Sequence, residues 1–339
     1  MKDEKKIKFA VVGLGHIGKR HAEMIIRNPD CELVATCDVL ERNKLNLQPE
    51  VNAPHYLDIQ TMFQSHPEID VVNICTPNGL HAEQSIISIN NGKHVVCEKP
   101  MALSKTECEN MIHSALQQSK HIFVVKQNRF SPPNIWLKKI VEEKIIGKIY
   151  LIQLNCYWNR DERYYQKGSW HGNKKLDGGT LFTQFSHFVD IMYWIFGDIH
   201  NISARFFNFN HAQLTEFEDS GVVHFDFLNG GSGVINYSTS IWDKNMESSL
   251  TVIGSNGSVK IGGQYMDKIE YCHIKNYQIP QLPPTNPSND YGVYKGSANN
   301  HPMIIQNVVD TLKNNQSPAT NAMEGLKVVE IIEKIYQLK

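Results

Sequence analysis

Three groups of residues in this chain have the type and spacing to do chemistry. The first centres on a lysine. Val95-Val96-Cys97-Glu98-Lys99-Pro100 reads as a buried strand that delivers Lys99 at its carboxyl end. Ligands of open α/β sheets bind outside that end, where a lysine can take a proton from a hydroxyl. Pro100 keeps Lys99 out of the α region, so the strand does not roll into a helix. On these six residues alone, a surface lysine before a turn proline is the plainer reading. The second group is Gly13-Leu14-Gly15-His16-Ile17-Gly18, between the apolar strand Ile7–Val12 and a helical stretch to Ile26. In that context Gly13 serves a tight turn, Gly15 lets a pyrophosphate approach, and Gly18 lets the helix pack closely. Asp38, twenty positions past Gly18, ends the next strand, Glu32–Asp38. Its carboxylate can accept both ribose hydroxyls of an adenosine and would repel a 2′-phosphate, which favours NAD, with Arg42 nearby as the opposing sign. In the third group, Thr183, His187 and Asp190 follow Gly178-Gly179 at i, i+4 and i+7 on one helix face. By itself His187 reads more readily as a satisfied core histidine than as a catalyst.

The elements that must position these groups alternate. After the glycine loop come a helix over Tyr56–His66, a strand over Asp70–Thr76 and a helix over His81–Asn91 closed by Gly92. The 95–100 strand follows, then a helix over Ser104–Ser119 opened by a Ser104/Glu107 capping box, and the strand Ile122–Val125. Strand–helix alternation predicts βαβ units and a parallel sheet ending near residue 126. Beyond it, a helix from Pro132 to Glu143 precedes alternating strands at 148–157, 202–209, 221–227, 233–241, 249–253 and 258–261. A Pro/Asn/Gly-rich loop over 278–300 leads to helices over 301–313 and 323–337. The expected architecture is α/β. An N-terminal Rossmann dinucleotide-binding domain spans 1–126, and an α+β domain with a large, mostly antiparallel open-faced sheet spans 127–339.

Composition narrows the partners. With 339 residues, 41% hydrophobic and a net charge of −1, nothing points to nucleic acid or an anionic membrane surface. The charged start Met1–Lys6 lacks the apolar stretch of a signal peptide, and seven unpaired-looking cysteines suit a reducing compartment, so a cytoplasmic protein is expected. Fifteen histidines include no HExxH or tight Cys/His cluster, so no metal is expected.

The glycine motif, then Thr76-Pro77-Asn78 with His81, Glu98-Lys99-Pro100, and Gln127-Asn128-Arg129-Phe130 follow at intervals that resemble the glucose-fructose oxidoreductase / inositol dehydrogenase (Gfo/Idh/MocA) family. The resemblance implies that Lys99 lies beside the nicotinamide and the substrate hydroxyl, before a cis proline. It implies that His16, Ile17, Thr76, Pro77, Asn78, His81, Glu98 and Gln127 join Gly13, Gly15, Gly18 and Asp38 around NAD. It makes His187 the second catalytic residue and assigns Arg129, Thr183 and Gln184 to the substrate. It also implies a homodimer or homotetramer through the C-terminal sheet. Many members carry aspartate where this chain has Thr183, which moves weight to Lys99 as the base. Tyr164-Tyr165, Trp170-x-Gly172 and Gln184 are similar to the branch that oxidises UDP-N-acetylglucosaminuronic acid at C3, whereas His171, Thr180, Thr183 and Phe185 differ. In that reading Arg160 and Arg163 meet the uronate carboxylate, and Tyr165 and Trp170 offer flat faces to a ring. An inositol or simple aldose dehydrogenase is the alternative, and a non-catalytic sensor of dinucleotides or sugars the reading from another class.

Overall fold

The computed structural model describes residues 5–290 and 295–339. The start at Met1–Glu4 and the part of the 278–300 loop at 291–294 lie outside the described residues. The chain forms two compact units, Met1–Val125 with His301–Leu326, and Lys126–Asn300 with Lys327–Lys339. This differs from a division at 126/127 in two places: Lys126 groups with the second unit, and 301–326 groups with the first.

The first unit runs β1 (Ile7–Val12), α1 (His16–Arg27), β2 (Cys31–Cys37), β3 (His55–Tyr56), α2 (Ile59–Ser65), β4 (Val71–Ile74), α3 (His81–Asn90), β5 (His94–Cys97), α4 (Lys105–Gln117) and β6 (Ile122–Val124). The sheet order is β3-β2-β1-β4-β5-β6 and every pairing is parallel. Strand order reverses between β1 and β4, the switch point at which such sheets bind ligands. The strands carry Val, Ile and Cys with little alternation because both faces are covered, and Val71, Val72, Val95, Val96 and Cys97 are fully buried. The helix expected over Tyr56–His66 starts later, at Ile59. Asp58 caps it by accepting from Thr61 N–H (2.7 Å) and Thr61 Oγ1 (2.9 Å), and that frees Tyr56 to pair as an edge strand. The capping box at α4 forms with an altered return arm, Glu107 accepting from Leu103 N–H (3.1 Å) and Ser104 Oγ (3.0 Å).

The second unit contains α5 (Pro132–Glu142), β7 (Ile149–Tyr157), α6 (Lys174–Asp177), α7 (Ser186–Phe196), β8 (Ile199–Phe207), β9 (Ser220–Phe227), β10 (Ser232–Ser238), β11 (Glu247–Gly254), β12 (Gly257–Gly262), β13 (Lys268–Ile274) and the short pair β14 (Ser288–Asp290) and β15 (Lys295–Ala298). The seven-stranded sheet is ordered β13-β12-β11-β7-β10-β9-β8, antiparallel except for β7 with β10. β13 and the β14–β15 hairpin were not legible in the sequence: β13 is a half-exposed edge strand without a clear apolar face. On the inner face Ile152, Leu154, Val223, Ile235, Leu250 and Val252 are fully buried, beneath Phe185 and Phe188, which meet Trp158 edge-on. The opposite face leaves apolar groups in solvent. Leu151 and Ile253, partners in register across β7 and β11, are 43% and 38% exposed, and Tyr271 is 55% exposed. Two helices close the chain, α8 (His301–Asn314), which packs on α1, and α9 (Ala322–Tyr336).

Candidate active-site residues

The loop between β1 and α1 has the shape that a dinucleotide phosphate requires. Gly13 adopts φ +86°, and a Cβ there would sit 2.7 Å from the Cys75 carbonyl; at Gly18 it would collide with the Gly13 carbonyl oxygen. A Cβ on Gly15 meets nothing within 4 Å, so the exposed side of the loop at Gly15, His16 and Ile17 is open at the helix N-terminus. Burial, then Lys19, lowers the His16 pKa, so this ring stays neutral at the phosphate end. Asp38 is tied to the loop: it accepts from Leu14 N–H (2.6 Å) and Leu40 N–H (2.9 Å). Each carboxylate oxygen keeps a lone pair, the number a ribose diol needs. Arg42 turns away from this role, donating to the carbonyls of Ala53 (2.8 Å) and Val51.

At the ends of β4 and β5 the buried side chains grip main chain. His81, 1% exposed, places Nε2 2.8 Å from the Thr76 carbonyl and Nδ1 2.7 Å from that of Pro100. Glu98, 5% exposed, accepts from Lys99 N–H at 3.1 Å and from His21 Nε2 at 3.0 Å, with His301 Nε2 3.6 Å away. The Lys99–Pro100 bond is cis, as the family resemblance implied, and Lys99 itself is half-buried. Thr76 donates to Gln84 (2.6 Å), and Pro77 and Asn78 form the turn into α3. Glu98 and His81, expected around the cofactor, thus have their polar atoms committed to the protein. The sequence reading found no metal cluster, yet His21, Glu98 and His301 bring one ligand atom each within 4.8 Å. Asn73 Nδ2 donates to His21 Nδ1 at 2.7 Å, which leaves His21 Nε2 carrying the proton and donating to Glu98. The three groups therefore satisfy one another as a hydrogen-bonded cluster.

In the second unit side chains meet side chains. After Gly179 (φ +128°), residues Leu181–Phe185 make a π turn that runs directly into α7, so the straight i, i+4, i+7 face read from sequence is broken between Thr183 and His187. Tyr336 seats that turn. Its hydroxyl accepts from Leu181 N–H (2.9 Å) and donates to buried Glu218 (2.6 Å), and a Cβ on Gly179 would lie 2.6 Å from it. Thr183 donates to the carboxylate of Asp177, a buried residue that also accepts from Gly172 N–H (2.9 Å). The carboxylate missing at position 183 thus stands one hydrogen bond behind it. Gln184 accepts from Arg160 Nε (2.8 Å) and donates to the Tyr164 hydroxyl (2.8 Å). Arg160 is 2% exposed, its guanidinium between the rings of Trp158 (4.8 Å) and Tyr164 (5.0 Å). His187, 4% exposed, lies 3.3 Å from the Gln127 amide nitrogen.

Three residues assigned to the substrate are committed elsewhere. Arg129 makes a two-point pair with Asp190 (2.9 and 2.7 Å), both buried, with Lys126 Nζ 3.6 Å away and Trp194 beneath the guanidinium. Arg163 is exposed and closes a turn on Asp161 (2.7 Å). Tyr165 is 5% exposed in the core, where burial pushes its hydroxyl pKa well up. Trp170 keeps a half-open face and stacks on His171, whose ring also meets Tyr164 (4.2 Å). Sequence reasoning missed Asp177, Tyr336 and Tyr164 as site-builders, because each acts through a partner that no spacing rule links to it.

Residues 7–126 match the family model described as "Oxidoreductase family, NAD-binding Rossmann fold", and residues 135–260 match "GFO/IDH/MocA C-terminal domain". The chain belongs to the Gfo/Idh/MocA oxidoreductase family. Its first unit is the NAD-binding Rossmann domain of that family. Two solved structures are similar over nearly the whole chain. The WlbA dehydrogenase from Bordetella pertussis in complex with NADH and UDP-GlcNAcA is 30% identical, with TM-score 0.87 over 98% of this chain and 96% of that one. The WlbA dehydrogenase from Chromobacterium violaceum, with the same two ligands, is 30% identical, with TM-score 0.85 over 99% and 94%. Among curated proteins, 1-carboxy-3-chloro-3,4-dihydroxycyclo hexa-1,5-diene dehydrogenase of Comamonas testosteroni is 28% identical over 68% of this chain, which spans 58% of that relative's length. Among the described residues, no helix is long and apolar enough to cross a membrane.

Proposed function

We propose that this protein is an NAD-dependent dehydrogenase that oxidises a secondary alcohol of a sugar, C3 of a UDP-linked N-acetylated hexuronate being the favoured substrate, in the cytoplasm and in the assembly of surface-polysaccharide sugars. The observation that carries the reading is the whole-chain likeness to two dehydrogenases holding NADH and UDP-GlcNAcA, joined to the Arg160–Gln184–Tyr164 set in the segment that bears the branch resemblance. The glycine loop would hold NAD, Asp38 would accept its ribose diol, and NAD would supply the hydride acceptor. Lys99, half-buried just past the end of β5, takes the hydroxyl proton. His187 hydrogen-bonds the same oxygen, and the Gln127 amide beside it fixes the orientation of the ring. Gln184 and Trp170 contact the sugar, while Arg160 holds Gln184 in place.

The test is a panel of UDP-linked N-acetylhexuronate, UDP-N-acetylglucosamine, free glucuronate and myo-inositol, followed by NADH absorbance at 340 nm. Fastest turnover is expected with the UDP-linked uronate. Faster turnover of inositol or a free aldose selects the alternative dehydrogenase, and no turnover of any member leaves the sensor. The exposed Leu151, Ile253 and Tyr271 support the reading that copies of the chain associate through the open sheet face. Sedimentation should then give a dimer or tetramer that Leu151→Glu weakens; a wild-type monomer would remove this assignment.

A further inference from the structure

Three donors converge on one buried side chain immediately before Lys99. Glu98 Oε1 receives His21 Nε2 at 3.0 Å and faces His301 Nε2 at 3.6 Å, while Oε2 receives the backbone N–H of Lys99 at 3.1 Å. His21, Asn73 and His301 are at most 2% exposed, so water does not share the work. An ionised carboxylate accepts at both oxygens, whereas an amide must turn its NH₂ toward one of these donors. The site therefore requires an anion and not merely a polar residue of this shape. Its anchors come from three places: α1 supplies His21, β4 supplies Asn73 to fix the tautomer of that histidine, and the first residue of α8 is His301. On the other side of Lys99, His81 reaches the carbonyl of Pro100 (2.7 Å), so the dipeptide is held at both ends by groups that carry no assigned contact with substrate.

We propose that Glu98, gripped by His21 and His301, is the positioning residue of Lys99: it fixes the main chain from which the lysine projects and supplies the nearby negative charge that governs when the lysine releases its proton. The proposal rests on the dehydrogenase reading for its catalytic meaning and on the hydrogen bonds alone for its positioning. Burial acts to raise the Glu98 pKa, but hydrogen bonds from His21 and His301 outweigh it and hold the carboxyl well below the usual range, so the charge is present throughout the working pH. The other titratable groups acting in this neighbourhood are Cys75, with a thiol that burial pushes well up, buried Cys97, His81, and Arg20 acting on His301.

The decisive experiment reads Lys99 twice in the full-length protein. One readout is the pH dependence of acylation of the Lys99 amine, followed by peptide mass spectrometry; the other is the kcat–pH profile. In Glu98→Gln the labelling midpoint should fall by about half a pH unit or more, since a lost anion favours the neutral amine. The same variant should lose about 10- to 100-fold in kcat with the NAD Kd within about twofold, as expected for a displaced reacting group. Glu98→Asp, which keeps the charge, should recover part of both. If Glu98→Gln does not fold, His301→Gln, which retains a donor, should move both readouts less and in the same direction. A folded variant with unchanged labelling overturns the proposal. If the wild-type protein turns over no sugar, the dehydrogenase reading fails separately, and the labelling midpoint still decides whether Glu98 governs Lys99.

Discussion

At the strand ends of the first unit polar side chains reach for backbone, with the His21–Glu98 contact as the exception: Asp38 takes the N–H of Leu14, Glu98 that of Lys99, and His81 meets the carbonyls of Thr76 and Pro100. In the second they reach for one another: Arg129 for Asp190, Arg160 for Gln184, Thr183 for Asp177 and Tyr336 for Glu218. The first arrangement fixes where the main chain runs at the strand ends, which suits a cofactor common to many enzymes. The second fixes the orientation of particular side chains, which suits discrimination among substrates, because a buried polar group left without its partner is costly. The units should accordingly fail in different ways.

The largest effect should come from breaking a pair in the second unit. Arg129→Ala strands Asp190 in a buried site and should cost about 3–5 kcal/mol in denaturant unfolding of that unit. A loss under about 1 kcal/mol would mean that Lys126 suffices as its partner. Next, Lys99→Met should lower kcat by about 10²-fold or more while NAD still binds, and His187→Ala should cost less. Steady-state kinetics with NAD titration checks this, and the opposite ranking would make the second unit the seat of the base.

A smaller change is expected at Asp38. Asp38→Ala should weaken NAD binding and narrow its advantage over NADP by about tenfold, since repulsion of a 2′-phosphate disappears. An advantage that persists in the variant would shift the selection to another residue. The mildest test is acid. Burial holds His301 below its ordinary pKa and, with Lys120 and His121, holds His94 down to about 4. The unfolded chain then binds protons that the folded first unit refuses, so this stability is complete above about pH 6.5 and is lost as pH falls. In the second unit burial works against ionised Asp219, but bonds from His211, Asn210 N–H and Ser220 prevail and hold its pKa below the carboxylate range, so that contribution survives until about pH 4. Hydrogen exchange corrected for intrinsic rate should show protection of β4 and β5 falling about tenfold between pH 6.5 and 4.5, ahead of β9 and β10. Simultaneous loss would place the histidines' contribution below detection.

The same contrast governs what the sequence discloses. The glycine loop, Asp38, Lys99 and the cis Lys99–Pro100 bond lie at strand ends or turns, where apolar runs and punctuation by Gly and Pro mark the position and the family resemblance supplies the rest. Thr183, Gln184 and His187 were visible as a helical group, but their partners were not. Arg160 looks like a surface charge in its loop, yet Trp158 and Tyr164 close on it from either side. Tyr165 and Trp170 are neighbouring aromatics in the sequence, and only packing decides that one is core and the other half-open. The edge strand Lys268–Ile274 escaped because an exposed edge carries no apolar period.

The π turn at Leu181–Phe185 makes this stretch sensitive to length as well as to composition. Such a turn holds one residue more than an α turn, and each residue of an α-helix advances about 100° around the axis. Deleting a single residue there would let α7 continue backward as a plain helix and shift the residues of the turn itself around the axis by about that angle, while the chain before it keeps its direction. Gln184 would then face away from Arg160, and Thr183 away from Asp177, with every side chain still present in the chain. Across relatives, point changes within 181–185 should therefore be far commoner than a gap of one.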